Sequence, residues 1–75
     1  MTSTTTTTYA ALDAEWGEAV AARYEHDARV RRILAGIPAS CVAGREQVRR
    51  SEGARRAHLT RRIIRAERAI SALPR

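Results

Sequence analysis

Residues that can line one face of a helix recur at alternating steps of three and four along two segments of the chain. These segments cover residues 9–37 and 41–73. Such spacing keeps side chains on one side of an α-helix. Between the segments, Gly36 favours a helix end and Pro38 prevents continuation of the first helix. The pattern therefore predicts an all-α chain of two long helices joined by a turn.

The predicted helices cover about residues 10–35 and about residues 40–73. Ser40 is a suitable N-cap for the second helix, because its hydroxyl can accept a hydrogen bond from a free backbone N–H. Gly53 costs about 1 kcal/mol relative to alanine inside a helix. A break at Gly53 would give three helices instead of two, and this alternative stays open at the level of sequence.

An antiparallel helical hairpin would bring together residues whose numbers sum to about 78. This register places large apolar residues of one helix opposite small or aliphatic residues of the other, in two layers. The expected interface residues are Leu12, Trp16, Val30, Val48, Leu59, Ile63, Ile70 and Leu73. A straight second helix that pairs with another copy of itself has the same periodicity and is the alternative.

A polar layer is expected between the two apolar layers. The same register places Arg23 and His26 opposite Glu52 and Arg55. A partly buried ionic layer specifies register more reliably than it adds stability. We therefore expect the middle of the hairpin to be its weakest part.

The N-terminal residues differ in composition from the rest of the chain. Residues 2–8 are six threonines and one serine, with no apolar residue that a fold could bury. Such a tract is typical of a disordered segment. We therefore expect a disordered Thr-rich tail over residues 1–8 and a single small helical domain over residues 9–75.

The size of the chain limits its core. A chain of 75 residues buries a smaller fraction of its surface than a typical domain does, and one cysteine cannot form an internal disulfide. We therefore expect a homo-oligomer or a subunit of a larger assembly. The sequence has no secretory signal pattern and no apolar run long enough to span a bilayer, which favours the cytoplasm or an intracellularly assembled particle.

The basic residues are all arginine and are unevenly distributed. Residues 45–75 contain ten of the 14 arginines and three glutamates, a net charge of +7, whereas residues 1–44 have a net charge of −1. On the second helix, most of these arginines lie opposite the apolar face. The expected nucleic-acid-binding residues are Arg49, Arg50, Arg56, Arg61, Arg65 and Arg68. The expected partner is nucleic acid or an acidic protein surface, and a merely solvated face is the simplest alternative.

Catalytic and metal-binding patterns are weak. Cys41, His26 and His58 are scattered without ligand spacing, so we expect no metal, no cofactor and no enzymatic activity. A hairpin would bring His26 near Glu52 but would leave Cys41 several turns away, as a small buried thiol near the turn. We expect no membrane binding, since the apolar face of the second helix has no Trp or Phe.

Taken together, these patterns favour a small non-enzymatic interaction or assembly protein whose Arg-rich helix contacts nucleic acid. A nucleoid, virion or ribonucleoprotein component would fit this description. The alternative is a helical protein–protein adaptor or oligomeric structural subunit. Such a protein would use its apolar seam and dock its basic face on an acidic partner.

Overall fold

A computed structural model describes residues 8–74 of the chain. Two α-helices, α1 (Tyr9–Ala35) and α2 (Val42–Ser71), pack side by side in opposite directions. The molecule is a rod with extents of 60 × 20 × 15 Å. No strand occurs between residues 8 and 74. The predicted all-α antiparallel helical hairpin is confirmed.

Helix α1 begins with a side-chain cap. The Thr8 hydroxyl accepts a hydrogen bond of 3.2 Å from the backbone N–H of Ala11. This satisfies one of the N–H groups that the first turn of a helix leaves free. Thr8 is the one residue of the predicted tail that the structure describes; the other seven lie outside the described residues.

The turn between the helices starts where predicted. Gly36 follows the last residue of α1 and has a φ of −85°, so its backbone is right-handed and needs no glycine. Pro38 lies two residues later and accepts a hydrogen bond of 2.9 Å from the Cys41 N–H. Pro38 therefore stops α1 through its missing N–H and its ring, rather than Gly36 through a left-handed conformation.

Two expectations near the turn are wrong. The N-cap of α2 is Cys41, whose side chain makes no capping hydrogen bond, whereas Ser40 lies one residue earlier in the turn. Cys41 is also exposed rather than buried. All residues from 38 to 43 are exposed, because the turn extends beyond the region where the two helices cover each other.

Arg45 joins the start of α2 to the end of α1. Its Nη1 donates hydrogen bonds to the carbonyl oxygens of Leu34, at 2.8 Å, and Ile37, at 3.0 Å. Leu34 lies in the last turn of α1, where carbonyls lack α-helical partners, and Ile37 lies in the turn that follows. The Leu34 carbonyl also accepts a hydrogen bond from the Ile37 N–H, so Arg45 adds a second donor there. Nothing in the periodicity of the sequence indicated this contact.

Helix α2 is continuous through Gly53, and the three-helix alternative is wrong. It has 30 residues and, at 1.5 Å per residue, is about 45 Å long. Packing against α1 on both sides of Gly53 outweighs the cost of about 1 kcal/mol that glycine adds in a helix. All residues of α2 therefore belong to one continuous helix with one outward face.

The core between the helices is thin. Its buried apolar residues are Leu12, Ala19, Ile63 and Ala66. The other expected interface residues are half-buried: Trp16, Val30, Val48, Leu59, Ile70 and Leu73. No large side chain among residues 8–74 is completely buried. Neither helix is long and apolar enough to cross a membrane.

Candidate functional site

A buried histidine lies at the centre of the hairpin. His26 is 6% exposed, and its Nε2 lies 3.0 Å from Oε1 of Glu52. Its Nδ1 lies 3.3 Å from Oδ1 of Asp27. A neutral imidazole can donate to one of these carboxylates and a protonated imidazole to both. The predicted proximity of His26 to Glu52 is confirmed, whereas Asp27 was not expected in this layer.

Arginines from both helices complete the polar layer. Arg29 donates to the same Glu52 oxygen at 2.6 Å, and Arg56 donates to the two oxygens of Asp27 at 3.0 and 3.4 Å. Arg23 does not join the layer as expected. Its Nη1 instead lies 3.5 Å from the Thr60 hydroxyl, because its long side chain extends toward the open end of the hairpin.

The environment of Asp27 keeps its carboxyl group ionised. Partial burial by itself would raise the pKa of Asp27, but hydrogen bonds from Arg56 and His26 and the charge of Arg56 outweigh it. The pKa of Asp27 consequently lies below its ordinary value of 3.8. The polar layer is therefore a set of mutually satisfied charges that fixes how α1 and α2 align.

The structure places Cys41 far from His26 and Glu52. Cys41 lies in the exposed turn, 11 residues before Glu52, which corresponds to about 16 Å along a helix. A nucleophile must lie within hydrogen-bond reach of its base. Across the described chain, no group of three His, Cys, Asp or Glu side chains is placed to hold a metal ion.

The six arginines expected to bind nucleic acid are all exposed on α2. They are Arg49, Arg50, Arg56, Arg61, Arg65 and Arg68. Within residues 8–74, Arg56 is the only one of the six that forms an ion pair with an acid, and half of its side chain stays exposed. Arg50, Arg61, Arg65 and Arg68 present their guanidinium groups to solvent on the face of α2 that points away from α1, whereas Arg49 and Arg56 lie at its side, next to α1.

An open groove of about 390 Å³ lies between the helices on the turn side of the polar layer. Val30 and Leu34 of α1 supply its apolar lining, together with Gly53 of α2. Three arginines from both helices also line it, namely Arg31, Arg49 and Arg56. Sequence reasoning missed Arg31, because it lies on the helix whose segment has a net negative charge.

Partly exposed apolar side chains form a second kind of surface. Ile33 is 38% exposed on α1, and Ile64 is 39% exposed on α2. Ile64 lies beside Arg61, Arg65 and Arg68, with which it lines a shallow depression. An apolar side chain surrounded by cations suits contact with an acidic amphipathic surface better than contact with an identical copy of the same face.

The molecule thus has a basic outer face on α2, a groove lined by arginines of both helices, and single half-exposed isoleucines. None of these features is specific to one fold family. Comparison with family models, with curated proteins and with solved structures gave no match to this chain.

Proposed function

We propose that this protein is a small non-enzymatic interaction or assembly protein whose Arg-rich helix α2 contacts the phosphate backbone of nucleic acid. One observation carries the proposal: Arg49, Arg50, Arg61, Arg65 and Arg68 are exposed and form no ion pair with an acid in residues 8–74. A solvated structural helix generally intersperses acids with such residues. The guanidinium groups of these arginines are therefore available to bind an external anion.

Guanidinium chemistry supports a phosphate ligand. Each arginine presents a planar fork of donors that matches two phosphate oxygens. Neutralising phosphates also releases condensed counterions, which makes such binding favourable and strongly dependent on salt. A helix of about 45 Å can follow several phosphates along one strand.

The proposed contact is with the backbone rather than with base edges. Helix α2 contains no Phe, Tyr or Trp side chain on which a base could stack. Its continuity through Gly53 also rules out a helix-turn-helix built within α2, since that motif needs two helices joined by a turn. We propose binding without sequence preference, in the cytoplasm or within an intracellularly assembled particle, as a homo-oligomer or as a subunit of a larger assembly.

A protein–protein adaptor is the second candidate function. The half-exposed Ile33 and Ile64 and the absence of a completely buried large side chain in the described hairpin favour it. The apolar seam is occupied by the contact of α1 with α2. An adaptor would therefore use the outer isoleucines, with the arginines guiding it to an acidic protein.

Binding to duplex DNA separates the two candidates, and its salt dependence tests the phosphate contacts. We expect the dissociation constant for a short DNA duplex of random sequence to rise linearly with salt on logarithmic axes, with a slope of about 0.9 per phosphate neutralised. Replacing Arg61 and Arg65 with alanine should lower this slope by about 0.9 for each lost contact. Fluorescence anisotropy of labelled duplex measures both quantities.

The matched control is Ile64→Ala, which removes an apolar contact without changing charge. It should leave duplex affinity unchanged if phosphates are the ligand. Absence of duplex binding at low salt would refute the nucleic-acid proposal and leave the adaptor. An adaptor should lose its protein partner on Ile64→Ala, although this change leaves every arginine in place.

A further inference from the structure

In the folded chain the excess positive charge lies near the turn, whereas the linear sequence places it in the C-terminal half. The contact between Asp27 and Arg56 divides the hairpin into a part near the turn and an open end. Residues 27–56, near the turn, contain eight arginines and three acids, a net charge of +5. The other described residues, 8–26 and 57–74, contain five arginines and five acids, a net charge of zero.

This distribution follows from the antiparallel arrangement. The C-terminal half of α2, with Arg61, Arg65 and Arg68, lies alongside the acidic N-terminal half of α1. The N-terminal half of α2 lies alongside the basic end of α1 instead. The potential that attracts a polyanion is therefore strongest near the turn, although exposed arginines lie at both ends of α2.

The groove near the turn is where this charge surrounds a concave surface. Arg31 and Arg49 line it from opposite helices, and neither forms an ion pair with an acid in the described chain. Asp27 and Glu52 also line it, but Arg56, Arg29 and His26 already bind their carboxylates. Their negative charge is largely offset before a ligand arrives.

The apolar lining of the groove and the absence of a side chain at Gly53 favour close approach of a ligand. Val30 and Leu34 line one side of the groove with apolar surface, beside which solvent screens a guanidinium group less than it does at a fully polar surface. A Cβ added at Gly53 would have no heavy atom within 4 Å, so the backbone of α2 is open on this side. A phosphate group can therefore approach between the arginines without meeting a side chain from residue 53.

We infer that this groove is the principal phosphate-binding site of the protein, with Arg31 of α1 and Arg49 of α2 as its paired ligands. The inference rests on the proposed function and gives it a location. A backbone phosphate of duplex nucleic acid would occupy the groove, and Arg61, Arg65 and Arg68 would make weaker contacts farther along the strand.

Two charge-matched double variants test the inference with the same labelled DNA duplex. One variant combines Arg31→Ala with Arg49→Ala, and the other combines Arg61→Ala with Arg65→Ala. Each variant removes two exposed arginines. We expect the first pair to weaken binding at physiological salt about tenfold more than the second, since the first removes contacts where the positive potential is strongest. Far-UV circular dichroism verifies that both variants remain helical.

The outcomes separate this inference from the function on which it rests. Equal losses from the two pairs, with wild-type binding intact, would overturn the groove as the principal site and leave the proposed function standing. Failure of the wild-type protein to bind duplex would overturn both. Inorganic pyrophosphate as competitor should displace duplex less effectively from the Arg31→Ala, Arg49→Ala variant than from wild type.

A further variant obstructs the groove without altering charge. Gly53→Leu places a side chain at its edge, whereas Gly53→Ala adds only a Cβ that fits. Leucine and alanine both have a higher helix propensity than glycine, so the fold is retained. We expect Gly53→Leu to weaken duplex binding several-fold relative to Gly53→Ala, and equal affinities for the two would contradict the proposed site.

Discussion

The indole Nε1 of Trp16 donates a hydrogen bond of 3.1 Å to Oε2 of Glu67, and 51 residues separate the two in the sequence. The contact joins α1 and α2 near the open end of the hairpin. Because Trp16 is the only tryptophan, its fluorescence reports on this end of the molecule alone. Glu67 is exposed, so solvent competes with the hydrogen bond.

Glu67→Ala should lower the free energy of unfolding by about 0.5–1 kcal/mol, as expected for one hydrogen bond between exposed side chains. Glu67→Gln keeps an acceptor oxygen and should lower the free energy of unfolding by less. Urea denaturation followed by circular dichroism measures the stability, and Trp16 emission should shift to longer wavelength in the alanine variant. Unchanged emission would show that the indole is not held by Glu67 in solution.

Glu52 should contribute far more to folding stability than its partial exposure indicates. Glu52→Ala removes the acceptor of both His26 and Arg29, and we expect a loss of about 2–3 kcal/mol of folding free energy. Glu46→Ala is the matched control, since Glu46 is exposed on the same helix and should change stability by less than about 0.5 kcal/mol. Similar losses from the two variants would contradict the polar layer.

Asp27 should make stability depend on acid pH. Its pKa is below 3.8 in the folded protein, so the unfolded chain binds a proton first as the pH falls. The stabilisation is therefore complete above the unfolded pKa and is lost as the pH drops through the lower folded pKa. Melting temperatures between pH 2 and 6 should fall more steeply for wild type than for Asp27→Asn; parallel curves would refute this.

Three glycines in the helices should respond differently to alanine. Gly17→Ala and Gly53→Ala should each stabilise the protein by about 0.5–1 kcal/mol, because their added Cβ atoms meet no heavy atom within 4 Å. At Gly44 the new Cβ would lie 2.9 Å from Sγ of Cys41, so the Cys41 side chain must move. Thermal melts of the three variants should place Gly44→Ala below the other two.

Arg45 should stabilise the turn through the two carbonyls that it binds. Arg45→Ala leaves the oxygens of Leu34 and Ile37 without this donor, and we expect a loss of about 1–2 kcal/mol. Arg50→Ala removes the same charge from an exposed position and should be nearly neutral. Equal effects would mean that charge, rather than the hydrogen bonds, accounts for the loss.

Periodicity in the sequence predicted the elements that face each other across the seam. It located both helices, the turn at Pro38 and the pair formed by His26 and Glu52, because seam residues are constrained by helical geometry. It did not predict contacts at the sides of the seam, such as Arg56 with Asp27. Long side chains there can reach several partners, and only the three-dimensional packing selects one.

The candidate site was predicted only in part for the same reason. The exposed arginines of α2 could be read from a helical wheel, but Arg31 could not be associated with Arg49 before the chain was folded. Linear charge also placed the basic region at the C-terminus. The antiparallel arrangement sets acids of α1 beside arginines of α2 and leaves the excess charge near the turn.

The 60 × 20 × 15 Å dimensions of the hairpin affect how its size is measured. A rod diffuses more slowly than a sphere of equal mass, so this 8.3 kDa chain should elute early from a gel-filtration column calibrated with globular standards. A monomer would then resemble a dimer on such a column. Subunit number is therefore better determined by light scattering or sedimentation equilibrium, whose results do not depend on molecular shape.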